Sequence, residues 1–124
     1  MSEPKSEQIN EQSEPSLKLY ADYIKEVRGH ELLSTPLGFV SYHIDGEHLH
    51  IIDVYVRPED RASGIGFGLC EEVVEIARAS GCRKILGQVD CFSLVGEQSL
   101  SAFIKMGMKI LKADQDVIWL IREI

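Results

Sequence analysis

No apolar run in these 124 residues approaches the ~20 needed to cross a bilayer as a helix. The polar, acidic N-terminus has none of the marks of a signal peptide. Cysteine is scarce. Cys70, Cys82 and Cys91 are odd in number and lack metal-ligand spacing, which excludes a disulfide framework and suits reduced thiols in a cytoplasmic protein. Cys70 and Cys82 read as small apolar packing residues. Positive charge is also in deficit. Thirteen Lys and Arg face 20 Asp and Glu, a formal charge of −7. A nucleic-acid binder needs a basic footprint, so that class is set aside, and cationic partners such as amines fit better. Residues 1–16 hold no aromatic and a single aliphatic side chain, Ile9, among many Ser, Glu and Gln. They read as a disordered acidic tail.

Residues 17–124 are long enough for one packed domain. Ser16 suits a helix N-cap. Tyr20, Ile24 and Val27, with Leu17 and Tyr23 beside them, give an apolar face that ends at Gly29. Glu31–Leu33 reads as a short strand before the turn Ser34-Thr35-Pro36. Gly38–Ile44 alternates, with Phe39, Ser41 and His43 on one face. Asp45-Gly46 then predicts a hairpin to an antiparallel strand, His48–Val56. A helix Gly64–Ala79 follows, with Ile65, Leu69, Val73, Ile76 and Ala77 on one face. Then come a strand to Asp90, a helix Glu97–Met106 and a last hairpin around Ala113-Asp114-Gln115.

Between the strand ending at Val56 and the next helix lies Arg61-Ala62-Ser63-Gly64-Ile65-Gly66-Phe67-Gly68. A strand, a glycine-rich turn and a helix build an anion site. Free N–H groups at a helix N-terminus carry partial positive charge, and glycine lets a phosphate approach the backbone. A Walker loop needs Lys and Ser/Thr after its last glycine, and neither is present. A dinucleotide fingerprint needs a further glycine where Leu69 stands.

The pattern present, Arg-x-x-Gly-x-Gly, resembles the acyl-CoA diphosphate loop of the GNAT N-acetyltransferase superfamily. Asp53-Val54-Tyr55-Val56-Arg57-Pro58-Glu59-Asp60-Arg61 resembles that family's fourth strand and its acidic approach to the arginine. The likeness runs from Leu37 to the C-terminus. It implies an α/β fold, a mixed and mostly antiparallel sheet with helices on both faces, splayed after Val56 to admit the pantetheine arm. The N-terminal region that usually walls off the acceptor is shortened. Either the acceptor site is open, or a second subunit covers it as in a homodimer, or no small acceptor is handled. The donor implied is acetyl-CoA, held by Val54, Tyr55, Val56, Arg61, Ala62, Ser63, Gly64, Ile65, Gly66 and Phe67, with no metal. The acceptor implied is a primary amine on a protein lysine, a polyamine or another amine.

Attack by an amine requires removal of its proton. Asp53 is the candidate base, in mid-strand among apolar residues where burial would raise its pKa. The alternative is that it closes an ion pair or lies on a solvated strand face. His43, His48 and His50 lie on one predicted hairpin without a further ligand at metal-site spacing and read as half-exposed strand residues, His30 as exposed and Trp119 as core. The family often carries a Tyr four residues before the glycine that ends the later helix, placed to protonate the leaving thiolate. Phe103 holds that position here, and Gly96 replaces an Asn seven residues earlier. Phe103→Tyr is therefore expected to raise the rate. These two departures keep open a non-catalytic protein that retains the fold and binds CoA or a protein partner.

Overall fold

The computed structural model describes residues 17–124. The expected disordered tail and the Ser16 cap lie outside them. Helix α1 spans residues 17–28. It is followed by β1 (Glu31–Thr35), β2 (Gly38–Asp45), β3 (His48–Val56), a 3₁₀ turn (Pro58–Asp60), α2 (Ile65–Ala79), β4 (Lys84–Asp90), α3 (Gly96–Lys105), β5 (Lys109–Asp114) and β6 (Val117–Glu123). The strands form one six-stranded sheet in the order β1-β2-β3-β4-β6-β5. Only β3 and β4 run parallel, and the crossover that parallel neighbours require is α2.

Helices α2 and α3 cover one face of the sheet. Val40, Leu49, Ile51, Val54, Leu69, Val73, Val74, Ile85, Phe103 and Leu120 form the core between them. Cys70 and Cys82 are buried as expected, and desolvation pushes the Cys70 thiol up to about 12. Helix α1 lies on the other face, where the Tyr20 ring meets Phe39 at 6.0 Å. Of its expected apolar stripe only Ile24 is buried; Tyr20, Tyr23 and Val27 remain exposed. Strand β1 runs two residues further than expected because Thr35 Oγ1 accepts the N–H groups of Leu37 and Gly38, at 3.1 and 3.2 Å, and so builds the turn itself.

One irregularity shapes the centre. Ser41 pairs with Asp53, but its neighbour Tyr42 pairs with Ile51, leaving Ile52 as an extra residue in β3. A bulge of this kind bends its strand and increases its twist. The Asp53 N–H, displaced from a regular ladder, donates to the buried Ser41 hydroxyl at 3.1 Å. Pairing of β3 with β4 stops at Ile51 and Gly87, just before the bulge. The strands therefore part after Ile51, not after Val56 as expected, because the bend comes before the strand ends.

Candidate active site

Two cavities flank the parted strands. The first lies beside the glycine loop. Its volume is about 310 Å³, and it is lined by Val56, Arg61, Ala62, Gly64–Phe67 and, from the α3 side, Leu94, Gln98, Ser101, Ala102 and Lys105. Helix α2 has Gly64 at its N-cap and no side-chain cap, so its first N–H groups stay available. The loop backbone is shaped for close approach. Ala62 has φ 63° and Gly64 φ 88°, a region that disfavours an L-residue by roughly 1–2 kcal/mol. Such strain at a non-glycine residue is characteristic of ligand-binding loops. Arg57 and Asp60 pair across the 3₁₀ turn at 2.7 Å, and Ser63 Oγ donates to the Asp60 carbonyl. Arg61 Nε donates to the Val56 carbonyl at 3.0 Å, while its guanidinium carbon lies 5.5 Å from the Tyr55 ring centroid. The guanidinium is thus fixed by one nitrogen, leaving the others for an anion.

This cavity fits a CoA-type cofactor on its own chemistry. Uncapped N–H groups, Arg61 and Lys105 suit a diphosphate. Among the described residues Gln98 Oε1 is buried with no hydrogen-bond partner, and it belongs to a residue of the cavity wall. An orphaned buried acceptor of this kind calls for a donor, which the amide N–H groups of a pantetheine arm would provide.

The second cavity, about 480 Å³, opens between the ends of β3 and β4. Asp53, Ile52, His50, Gln88, Asp90, Ser99 and Trp119 contribute to its lining. Here the structure corrects three sequence expectations. Asp53 is exposed, because the extra residue turns it away from the core face that strict alternation from Leu49 and Ile51 would give it. The burial invoked for it is absent. Among the described residues it also closes no ion pair, so of the alternatives to a buried base the structure matches the solvated strand face. Trp119 is half-buried on the cleft wall, with Lys112 Nζ 4.6 Å from its ring centroid; Leu120 takes the core position. Phe103 is 1% exposed and lines neither cavity. Its ring edge lies 3.0 Å from where a Gly87 Cβ would stand, so it packs beneath β4. One turn earlier on α3, Ser99 is 8% exposed and does reach the cleft.

His50, two residues before the bulged Ile52, and Asp53, directly after it, both line the cleft. Burial, then His43 and His48, push the His50 imidazole below its ordinary value, while Asp45 acts in the opposite sense. His30 is half-buried, not exposed, with its ring 6.1 Å from that of His43. The bulge itself was missed at the level of sequence. Its signal is a phase slip, with apolar core residues at Leu49 and Ile51 and then at Val54 and Val56.

A six-stranded, largely antiparallel sheet whose parallel pair parts beside a glycine loop and an uncapped helix defines an acyl-CoA-binding class of fold. The model of the acetyltransferase (GNAT) family matches residues 2–108, and the chain belongs to that family. It is 28% identical over 92 residues to a Bos taurus thialysine N-epsilon-acetyltransferase, covering 57% of this chain and 54% of that one. The chain thus spans about half the length of that relative. Among solved structures it resembles a Bacillus subtilis acetyltransferase in complex with CoA (TM-score 0.64, 17% identity, 83% of each chain). A Thermoplasma acidophilum PaiA N-acetyltransferase in complex with coenzyme A is also similar (TM-score 0.62, 23% identity, 71% of this chain and 54% of that one). So is a Bacillus cereus acetyltransferase (TM-score 0.64, 21% identity, 93% and 91%). At these identities the likeness establishes the fold. Among the described residues no helix is long and apolar enough to cross a membrane.

Proposed function

We infer that the chain is an N-acetyltransferase that moves an acetyl group from acetyl-CoA to a primary amine. The observation that carries this reading is a pair of cavities along the half of β3 that has parted from β4, one lined by Val56 and the other by Ile52 and Asp53. One has the chemistry for a diphosphate and an amide-bearing arm; the other is lined by a free carboxylate. The name of the bovine relative, an ε-amine acetyltransferase, agrees with an amine acceptor.

Acetyl-CoA, when bound, supplies the acetyl thioester. The rest falls to this chain. The α2 N-terminus, Arg61 and Lys105 hold the diphosphate. Backbone N–H groups of β3 near Tyr55, without a ladder to β4, orient the thioester carbonyl and stabilise charge developing on its oxygen. Asp53 takes the amine proton, directly or through water. Ser99 is the hydroxyl of α3 nearest in role to a proton donor, since Phe103 has none. The open cleft suits a lysine side chain of a protein or an extended polyamine.

A panel of spermidine, lysine peptides and small amines, assayed with acetyl-CoA by thiol release, tests the reading. Turnover with at least one amine is expected. Asp53→Asn should lower the rate by about 100-fold or more with CoA affinity unchanged. If Asp53 is only an exposed strand residue, the variant keeps both its stability and its rate per folded molecule. The buried Phe103, where a hydroxyl would be expected, favours a second reading: a CoA-binding protein without turnover. Clear CoA binding with no product from any amine would select it.

A further inference from the structure

All four histidines of the chain gather on the outer face of the sheet. Ring centroids are 6.1 Å apart for His30 and His43, 6.1 Å for His43 and His50, and 6.3 Å for His48 and His50. The hairpin register explains the grouping. His43 lies directly across from His50, and Asp45 across from His48. Each strand contributes two residues at i and i+2, hence on one face. Three imidazoles and a carboxylate therefore occupy the corners of a small quadrilateral beside the β2–β3 turn. Cross-strand partners have Cβ atoms about 4.5–5.5 Å apart and diagonal neighbours about 7–8 Å, within reach of a common ion.

We propose that His43, Asp45, His48 and His50 form a binding site for a divalent transition metal of the zinc type. Imidazole nitrogen with one carboxylate is a donor set for Zn²⁺, Co²⁺ or Ni²⁺ and a poor one for Mg²⁺ or Ca²⁺. With Zn–N bonds of about 2.0–2.1 Å, two imidazole centroids on a tetrahedral ion stand about 5 Å apart. The observed spacings exceed that by about 1 Å. Among the described residues no three ligating side chains already close around one point, so binding requires side-chain rotation. His43, His48 and His50 are half-exposed and Asp45 exposed, and such side chains change rotamer readily. The bound ion would tie β2 to β3. Because His50 also lines the cleft, it would fix one wall of the acceptor entrance. This inference concerns the hairpin alone and does not depend on acetyl transfer.

The test is calorimetric titration of Zn²⁺ into the metal-free 124-residue chain in a non-coordinating buffer. A single saturable equivalent is expected, with a raised melting temperature on loading. His43→Ala and His50→Ala should each weaken binding by at least about tenfold, with unchanged far-ultraviolet circular dichroism. Asp45→Asn should weaken it less, and His30→Ala least. Co²⁺ loading supplies an independent readout: intense visible d–d bands that mark four-coordinate geometry and disappear in the His43→Ala/His50→Ala double variant. The absence of saturable Zn²⁺ binding would overturn the site. So would binding unaffected by the double variant, or weakened more by His30→Ala than by His50→Ala.

Discussion

Phe103 and Ser99 stand one turn apart on the same side of α3, yet only Ser99 reaches the cleft. The reason is the contact between the Phe103 ring and Gly87, where a Cβ would stand only 3.0 Å from the ring. A hydroxyl added at the ring tip enters a packed interior, not the reaction site. Phe103→Tyr should therefore destabilise the protein by about 1–3 kcal/mol, the penalty for a buried hydroxyl without a partner. It should not raise the acetylation rate per folded molecule. Urea denaturation and the amine assay check both halves together. A faster enzyme of unchanged stability would restore Phe103 to the acid position that its spacing from Gly107 suggests. Asp53 shows the converse. Its type and place in the chain were legible in the sequence, whereas its exposure was not, because one extra residue in β3 decides which way it faces.

Helix α2 and the loop before it form the element most legible in the sequence. Glycine, arginine and the following apolar periodicity each have a local cause, so the 15-residue helix begins one residue from where it was expected. Within it, Gly64 and Gly66 do different work. Gly64 needs its left-handed backbone. A Cβ on Gly66 would meet Val56 Cγ2 at 3.7 Å and Ala102 Cβ and Val54 Cγ1 at 3.8 Å, ordinary contact distances. A side chain there is compatible with the fold but fills the groove between β3 and α3. Gly66→Val should leave the melting temperature near that of the wild type and weaken CoA by at least about tenfold, roughly 1.4 kcal/mol. Equal affinities by calorimetry would show that the arm does not pass Gly66. Helix α1 was less legible. Its apolar spacing fixed a helix, but not which residues a sheet already half-covered would bury, and only Ile24 is enclosed.

At the scale of the whole molecule, the bulge sets the distance between the two halves of the sheet. Leu49, Ile51, Val54 and Val56 all face the core, which strict alternation forbids and one extra residue permits. With Ile52 removed, the remaining residues alternate without a break: Leu49 and Ile51 inward, Asp53 outward, Val54 and Val56 inward. A chain lacking Ile52 should therefore keep its core. Its third strand should straighten, since the bend and twist come from the unpaired residue. The β3–β4 ladder would then continue past Ile51 and Gly87, closing the wedge and satisfying backbone groups that the native fold leaves to a ligand. The deletion should thus preserve or raise thermal stability while CoA binding and amine acetylation are lost together. A melting curve and a CoA titration on the same preparation measure this. If the shortened chain unfolds, Ile52 is needed for stability. If it folds and still binds CoA as tightly as the wild type, the parting of β3 from β4 has another cause than the bulge.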